Sequence, residues 1–302
     1  MASHQPLPED PVALAQFAGL ELVARQLVEG LMMGRHRSPY KGTSVEFVEH
    51  REYCPGDEIR HIDWRAFGKT GRYHIKEYED ETNLRAHLLF DVSGSMAYSG
   101  KSLSKFEYAR VVAASLAWLL LSQRDAVGLM TFDSKLRERL RPSASRSTWN
   151  QIIQILESTQ PGDDTSLTST LDTVLPALQR RCLLILISDC LDSIDSLQAM
   201  LQRCRHARHE VAVFRIVAPE EEEFPFERPT QFRDLEHTGN RILADPVRLR
   251  QEYLRQYRQF SGALEKLCGN LRVDYTKMVT DQPIQVSLGN WLSERIARDA
   301  FR

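Results

Sequence analysis

From residue 86 onward the chain alternates short, continuously apolar runs with longer runs of helical period. AHLLFDV (86–92) and CLLILISD (182–189) are uninterrupted apolar segments, the pattern of strands buried on both faces. DAVGLMTFD (125–133) and EVAVFRIV (210–217) read as two more strands, and KLRERLRP (135–142) as a polar edge strand paired with 125–133. Between them, 105–124, 147–158, 166–180 and 193–208 carry helical spacing. Trp149, Ile152, Ile153 and Leu156 share one helix face, and Pro176 is expected to kink the third helix or mark its last turn. Strand–helix–strand alternation of this kind predicts an α/β fold with a doubly wound, mostly parallel sheet.

The flanks break the rhythm. An amphipathic helix is expected over 16–33. Residues 34–83 carry Gly, Pro and alternating β-type positions, read as short strands around a Pro55-Gly-Asp turn. These few apolar residues would make a weak core alone, so 1–83 is taken as a helix and small β layer packed on an 84–302 core. After 217, the four glutamates 220–223 are read as a solvated loop opening a hairpin-like stretch to about Asp245. A long polar helix (246–271), a strand (273–280) and a last amphipathic helix (283–300) follow. No internal repeat is found.

Composition adds exclusions. The 302 residues carry 39 Lys+Arg against 41 Asp+Glu, a net charge of −2 that gives no global pull toward nucleic acid or anionic lipid. The longest apolar stretch, Val111–Leu121, is 11 residues, about half of a bilayer span. The first residues, MASHQPLPEDP, lack the basic and apolar parts of a signal peptide. The five cysteines are scattered and form no CxxC pair, which argues against a disulfide framework or zinc site and for a reducing, cytoplasmic setting. Segment 34–76 holds nine Lys/Arg with interspersed aromatics, but six acids interleave with them. A salt-bridged shell, with Asp57, Arg60, Asp63 and Arg65 paired internally and Trp64 as anchor, is the better reading than a nucleic-acid surface.

The chemistry concentrates at the end of the first core strand. Asp91, Ser93 and Ser95 form D-x-S-x-S, three oxygen ligands at alternate positions, with Gly94 letting the backbone fold back between them. Thr165, opening a helix, and Asp189, ending the strongest buried strand, belong to the other loops expected at the carboxyl edge of the sheet, where open α/β folds bind ligands. A hydroxyl-rich set with two carboxylates suits a hard divalent ion. Mg²⁺ leads, and Mn²⁺ and Ca²⁺ accept the same ligands. His87 reads as a packed histidine and not as a base, while Cys190 could lie exposed beside the site without an activating neighbour.

Asp91-Val-Ser-Gly-Ser-Met96, Thr165 and the Ile-Ser-Asp189 ending resemble the metal-ion-dependent adhesion site of von Willebrand factor A domains. Upstream, Ser44-Val-Glu-Phe, Arg51-Glu-Tyr, Pro55-Gly-Asp-Glu-Ile-Arg-His-Ile-Asp-Trp-Arg65 and Lys76-Glu-Tyr-Glu-Asp-Glu81 resemble the bacterial "domain of unknown function 58" family over roughly residues 30–220. That resemblance implies a von Willebrand A-like core, and the ligand set, with few obvious general bases, points to binding and not bond breaking. The resemblance also implies a partnership with a MoxR-type AAA+ ATPase in client maturation or complex assembly, the partner's carboxylate completing the metal's coordination. Relatives often carry membrane helices; no span is expected here. Two rival readings remain. A Mg²⁺-dependent phosphotransferase of haloacid-dehalogenase type also places Asp after its first strand, but needs a second Asp where Ser93 stands. A metal-free scaffold is the other. Neither a G-x-x-x-x-G-K-[ST] loop nor a G-x-S-x-G elbow occurs.

Overall fold

The structure, a computed structural model of the chain, describes residues 19–35, 50–52, 67–68, 73–76, 84–162, 174–178, 181–235 and 241–299. The chain divides into two compact units, Met1–Gly34 with Leu84–Arg302, and Arg35–Asn83. Helix α1 (Leu20–Arg35), grouped with residues 1–83 from the sequence, belongs to the larger unit.

In the larger unit the elements run β3 (Arg85–Asp91), α2 (Lys105–Ser122), β4 (Ala126–Phe132), β5 (Leu136–Ser143), α3 (Arg146–Ser158), β6 (Leu183–Ser188), α4 (Ile194–His206), β7 (Glu210–Val217) and α5 (Pro219–Glu223). The hairpin β8 (Thr230–Arg233) and β9 (Arg241–Ala244), helix α6 (Pro246–Asn270), β10 (Asp274–Val279) and α7 (Ile284–Asp299) complete it. The central sheet has the order β10-β7-β6-β3-β4-β5. Its pairs are parallel except β4 with β5, the polar edge strand. This is the doubly wound, mostly parallel α/β sheet expected from the alternation.

Period-two alternation sorts the strand side chains into two cores. Ala86, Leu88 and Phe90 of β3, Leu183, Ile185 and Ile187 of β6, and Ala212, Phe214 and Ile216 of β7 enter one, with α1, α2, α3 and α7. Leu89, Leu184, Leu186, Val211 and Val213 enter the other, with α4 and α6. Helix α1 fits because Leu20, Val23, Ala24, Leu27 and Val28 repeat at 3 and 4. Helix α2 is buried along most of its length; its Ala113, Ala114 and Ala117 are fully buried. Trp118 of α2 meets Trp149 of α3 at 5.1 Å between ring centroids.

Sheet order also locates the site. From β3 the chain moves outward to β4 and β5, and then returns to β6 on the other side of β3. The carboxyl ends of β3 and β6 therefore border the point where the winding reverses, the position at which open sheets leave a crevice.

The glutamates 220–223 depart from expectation. They form the short helix α5, and Glu220 is buried. Four acids in a row look solvated in isolation, yet the Lys101 backbone N–H and the Lys105 and Lys277 ammonium groups each donate to one of them. The helix expected over 166–180 falls largely outside the described residues; Pro176 lies in the 3₁₀ turn Leu175–Ala177. In the smaller unit, β1 (His50–Glu52) pairs antiparallel with β2 (His74–Lys76), and Phe67 stacks on Tyr73. The Pro55-Gly-Asp turn, Trp64 and the Asp57, Arg60, Asp63 and Arg65 pairs lie outside the described residues.

His87 is buried within β3, and its Nδ1 has no hydrogen-bond partner among the described residues. Burial, assisted by Arg139, His209 and Arg85, lowers its pKa from 6.5 to about 4. The folded state thus resists a proton that the unfolded chain accepts below 6.5, so stability falls as pH drops from there toward 4. Urea unfolding of His87→Leu should lose less stability between neutral pH and pH about 5 than wild type. An equal loss would remove His87 as the acid-sensitive group.

Candidate metal-binding and docking site

Strand β3 delivers Asp91, at its last position, fully buried at the carboxyl edge of the sheet. Two backbone bonds hold the loop that follows: Val92 N–H donates to the Phe132 carbonyl (2.8 Å), and Gly162 N–H donates to the Val92 carbonyl (2.6 Å). The chain then folds into a 3₁₀ turn, Gly94–Ala97, that points Ser93 and Ser95 inward. Gly94 is required here by close approach. A Cβ at this position would lie 2.3 Å from the Leu235 carbonyl oxygen, a backbone atom that cannot swing aside.

Four oxygen-bearing side chains converge on this loop. Asp91 Oδ1 accepts from Ser93 N–H (2.9 Å) and Oδ2 from the Ser188 hydroxyl (2.5 Å). The Ser93 and Ser95 hydroxyl oxygens are 3.1 Å apart. Two adjacent ligands of an octahedral Mg²⁺, each at about 2.1 Å from it, lie about 3.0 Å from one another. The hydroxyl pair therefore has the spacing the ion would ask for. Burial and the neighbouring Asp189 charge push the Asp91 carboxyl up to about 7, against the lowering effect of the Ser188 and Ser93 bonds. A carboxylate so placed is stabilised by any cation that reaches it.

Asp189 follows β6 and is also buried. Its Oδ1 accepts from Leu191 N–H (3.2 Å), and its Oδ2 accepts from the Lys105 ammonium (2.7 Å). From below, the buried Arg215 guanidinium donates to the Asp189 carbonyl (3.3 Å) and to the Ser261 hydroxyl (2.8 Å). The loop turns at Cys190, which takes the left-handed conformation (φ 58°) and whose N–H donates to Ser188 Oγ. Cys190 is fully buried, contrary to the exposed position entertained from its place in the sequence, and burial raises its thiol far above the ordinary range.

Lys105 is the group that sequence reasoning missed. Its ammonium, 1% exposed, bridges Asp189 and Glu221, the latter at 2.8 Å. Burial alone would lower its pKa, but the two carboxylates overcome that and raise it. A signal was available: Lys105 is the first residue of α2, where the helix dipole disfavours a cation unless acids compensate. Ser188 was also missed, although a hydroxyl directly before Asp189 at a strand end is a natural partner for the next strand's carboxylate.

Asp91, Ser93, Ser95 and Asp189 are thus brought to one loop cluster, while Thr165 lies outside the described residues. Among the described residues no cluster of three or more His, Cys, Asp or Glu side chains has metal-binding spacing. An ion here would depend on hydroxyls, the donor set of a small hard cation. A cleft of about 670 Å³ lies next door, lined by Val92, Thr131, Asp133, Arg137 and Gly162, among others. It is not lined by Asp91, and its Asp133 is ion-paired with Arg137.

The family model described as "Protein of unknown function DUF58" matches residues 49–262. Uncharacterized proteins Mb1516 of Mycobacterium bovis and Rv1480 of Mycobacterium tuberculosis are 25% identical over 251 residues, 82% of this chain and 78% of theirs. Among solved structures, the conserved hypothetical protein BatB from Bacteroides thetaiotaomicron is 17% identical, covering 70% of this chain and 98% of its own, with TM-score 0.46. An aerotolerance-related membrane protein from Bacteroides fragilis is 17% identical over 70% and 99%, with TM-score 0.47. The SpRpn10 VWA domain is 12% identical over 68% and 93%, with TM-score 0.40. Among the described residues, no helix is long and apolar enough to cross a membrane.

The packing of the turn yields a direct test. Gly94→Ala must displace the Leu235 backbone and should cost about 1–3 kcal/mol in denaturant unfolding. A neutral result would show that the turn is not held against residue 235.

Proposed function

The chain belongs to the DUF58 family, and we propose that it is a non-catalytic protein-interaction module whose docking point is the Asp91–Ser93–Ser95–Asp189 loop cluster. The observation that carries this reading is the pair of buried carboxylates beside two inward hydroxyls spaced as adjacent ligands of one small ion. Ser93, Ser95, Asp91 and Asp189, with Thr165, would hold a Mg²⁺ or, by the same chemistry, Mn²⁺ or Ca²⁺. When bound, the ion offers a Lewis-acid position to an incoming oxygen ligand. The chain's own groups do the rest. Ser188 and the Ser93 amide orient the Asp91 carboxylate, and Arg215 fixes the backbone that presents Asp189.

The partner that fits is a protein surface bearing an exposed Asp or Glu. The resemblance drawn from Asp91–Met96 and the residue 44–81 motifs directs this proposal to a MoxR-type AAA+ ATPase, with this chain as adaptor in client maturation or complex assembly. The phosphotransferase reading is the weaker one. An aspartyl nucleophile at Asp91 would need an acid–base carboxylate two residues on, and Ser93 supplies a hydroxyl already bonded to Ser95. Cytoplasmic action is part of the proposal.

The test is binding of the purified full chain to a MoxR-type ATPase in Mg²⁺ and in EDTA, for wild type and Asp91→Asn. Binding should be strong only for wild type in Mg²⁺, with a loss of about tenfold or more otherwise. Equal binding in all four conditions would overturn metal-dependent docking.

A further inference from the structure

Lys105 has a consequence for ion binding that depends on the metal reading above. Asp189 has neither oxygen free: Leu191 N–H occupies one, and the Lys105 ammonium occupies the other. That ammonium is buried to 1% and sits 6.0 Å from the Tyr98 ring centroid, so water screens it poorly. It also has a second seat. Glu221, at 2.8 Å, is anchored by its other oxygen, which accepts from Ala218 N–H (2.8 Å). Neighbouring Glu220 accepts from Lys101 N–H (2.9 Å), fixing α5 against the loop after the Ser93–Ser95 turn.

We infer that Lys105 is a tethered competitor of the divalent ion. In the metal-free protein its ammonium is shared between Asp189 and Glu221; when an ion takes Asp189, Lys105 gives up that bond and keeps Glu221 alone. One cation is exchanged for another at the same carboxylate, so the fold never buries an uncompensated Asp189. The cost is lower ion affinity, because a positive charge must leave one acid and remain close to the ion. Lys105 thereby sets how readily the site loads, and Glu221 sets how readily Lys105 yields.

This predicts opposite effects from two neighbouring variants. Calorimetric titration with Mg²⁺ and with Mn²⁺ should show Lys105→Met binding about tenfold or more tightly than wild type, with a larger ion-induced rise in melting temperature. Glu221→Gln deprives Lys105 of its second seat and should bind more weakly than wild type. Lys105→Arg, which keeps the charge, should show no tightening. Lys105→Met leaves two acids without their cation; if it fails to fold, Lys105→Met/Glu221→Gln, with Asp189 alone to neutralise, replaces it and should also bind more tightly than wild type. Wild-type affinity in Lys105→Met, or in Lys105→Met/Glu221→Gln where that variant replaces it, would overturn the competition while leaving the metal site standing. Absence of heat and of thermal shift in every protein would overturn the metal site, and the competition with it.

Discussion

Two carboxylates, Asp91 and Asp189, leave water at the point where the sheet's winding reverses, and the loop cluster around them is organised to make that tolerable. Isolated buried charge is costly, and a second negative charge nearby raises the cost. The structure answers in three ways. Ser188 and the Ser93 amide donate to Asp91, the Leu191 amide donates to Asp189, and Lys105 brings a whole positive charge. Among the described residues Asp91 has no cation of its own, and its carboxyl is pushed up to about 7, chiefly by burial and next by Asp189. That residual deficit of positive charge is what the proposed ion would make good.

The rest of the unit holds these groups in register. β3 and β6 pair in parallel, and Phe90 is opposite Ile187, so Asp91 and Ser188 leave neighbouring strands at the same level. Helix α2 starts with Lys105 at the site and runs back through the core, giving the buried charge and a core helix a common origin. Helix α5, short and acidic, clamps the far side through Glu220 and Glu221. Glycine at 94 lets the Leu235 backbone approach the turn, which ties the segment after β8 to the same cluster.

Much of this was legible in the sequence. The strands were readable because two-sided burial demands unbroken apolar runs, as in 183–188, and the helices because α1 and α3 repeat their apolar positions at 3 and 4. Asp91, Ser93, Ser95 and Asp189 were readable because strand-ending polar residues in a parallel sheet share one edge. Lys105 and α5 were not. Their pairing joins residues 116 positions apart, and no local period records such a contact. The same limit applies to the glutamates 220–223. Hydrophobic periodicity treats them as solvated, while long-range contacts from the Lys101 N–H and the Lys105 and Lys277 ammonium groups hold Glu220, Glu221 and Glu222.

DUF58 membership, the doubly wound sheet and the paired carboxylates support one account: a docking module whose affinity for its ion is held in check by an internal lysine. The most direct test is a crystal structure of the full chain grown with Mn²⁺, with anomalous scattering recorded at the manganese edge. The account predicts an anomalous peak at about 2.1–2.2 Å from the Ser93 and Ser95 hydroxyl oxygens, with the Lys105 ammonium released from Asp189 and held by Glu221 alone. No peak at that position, with Lys105 still on Asp189, would contradict it.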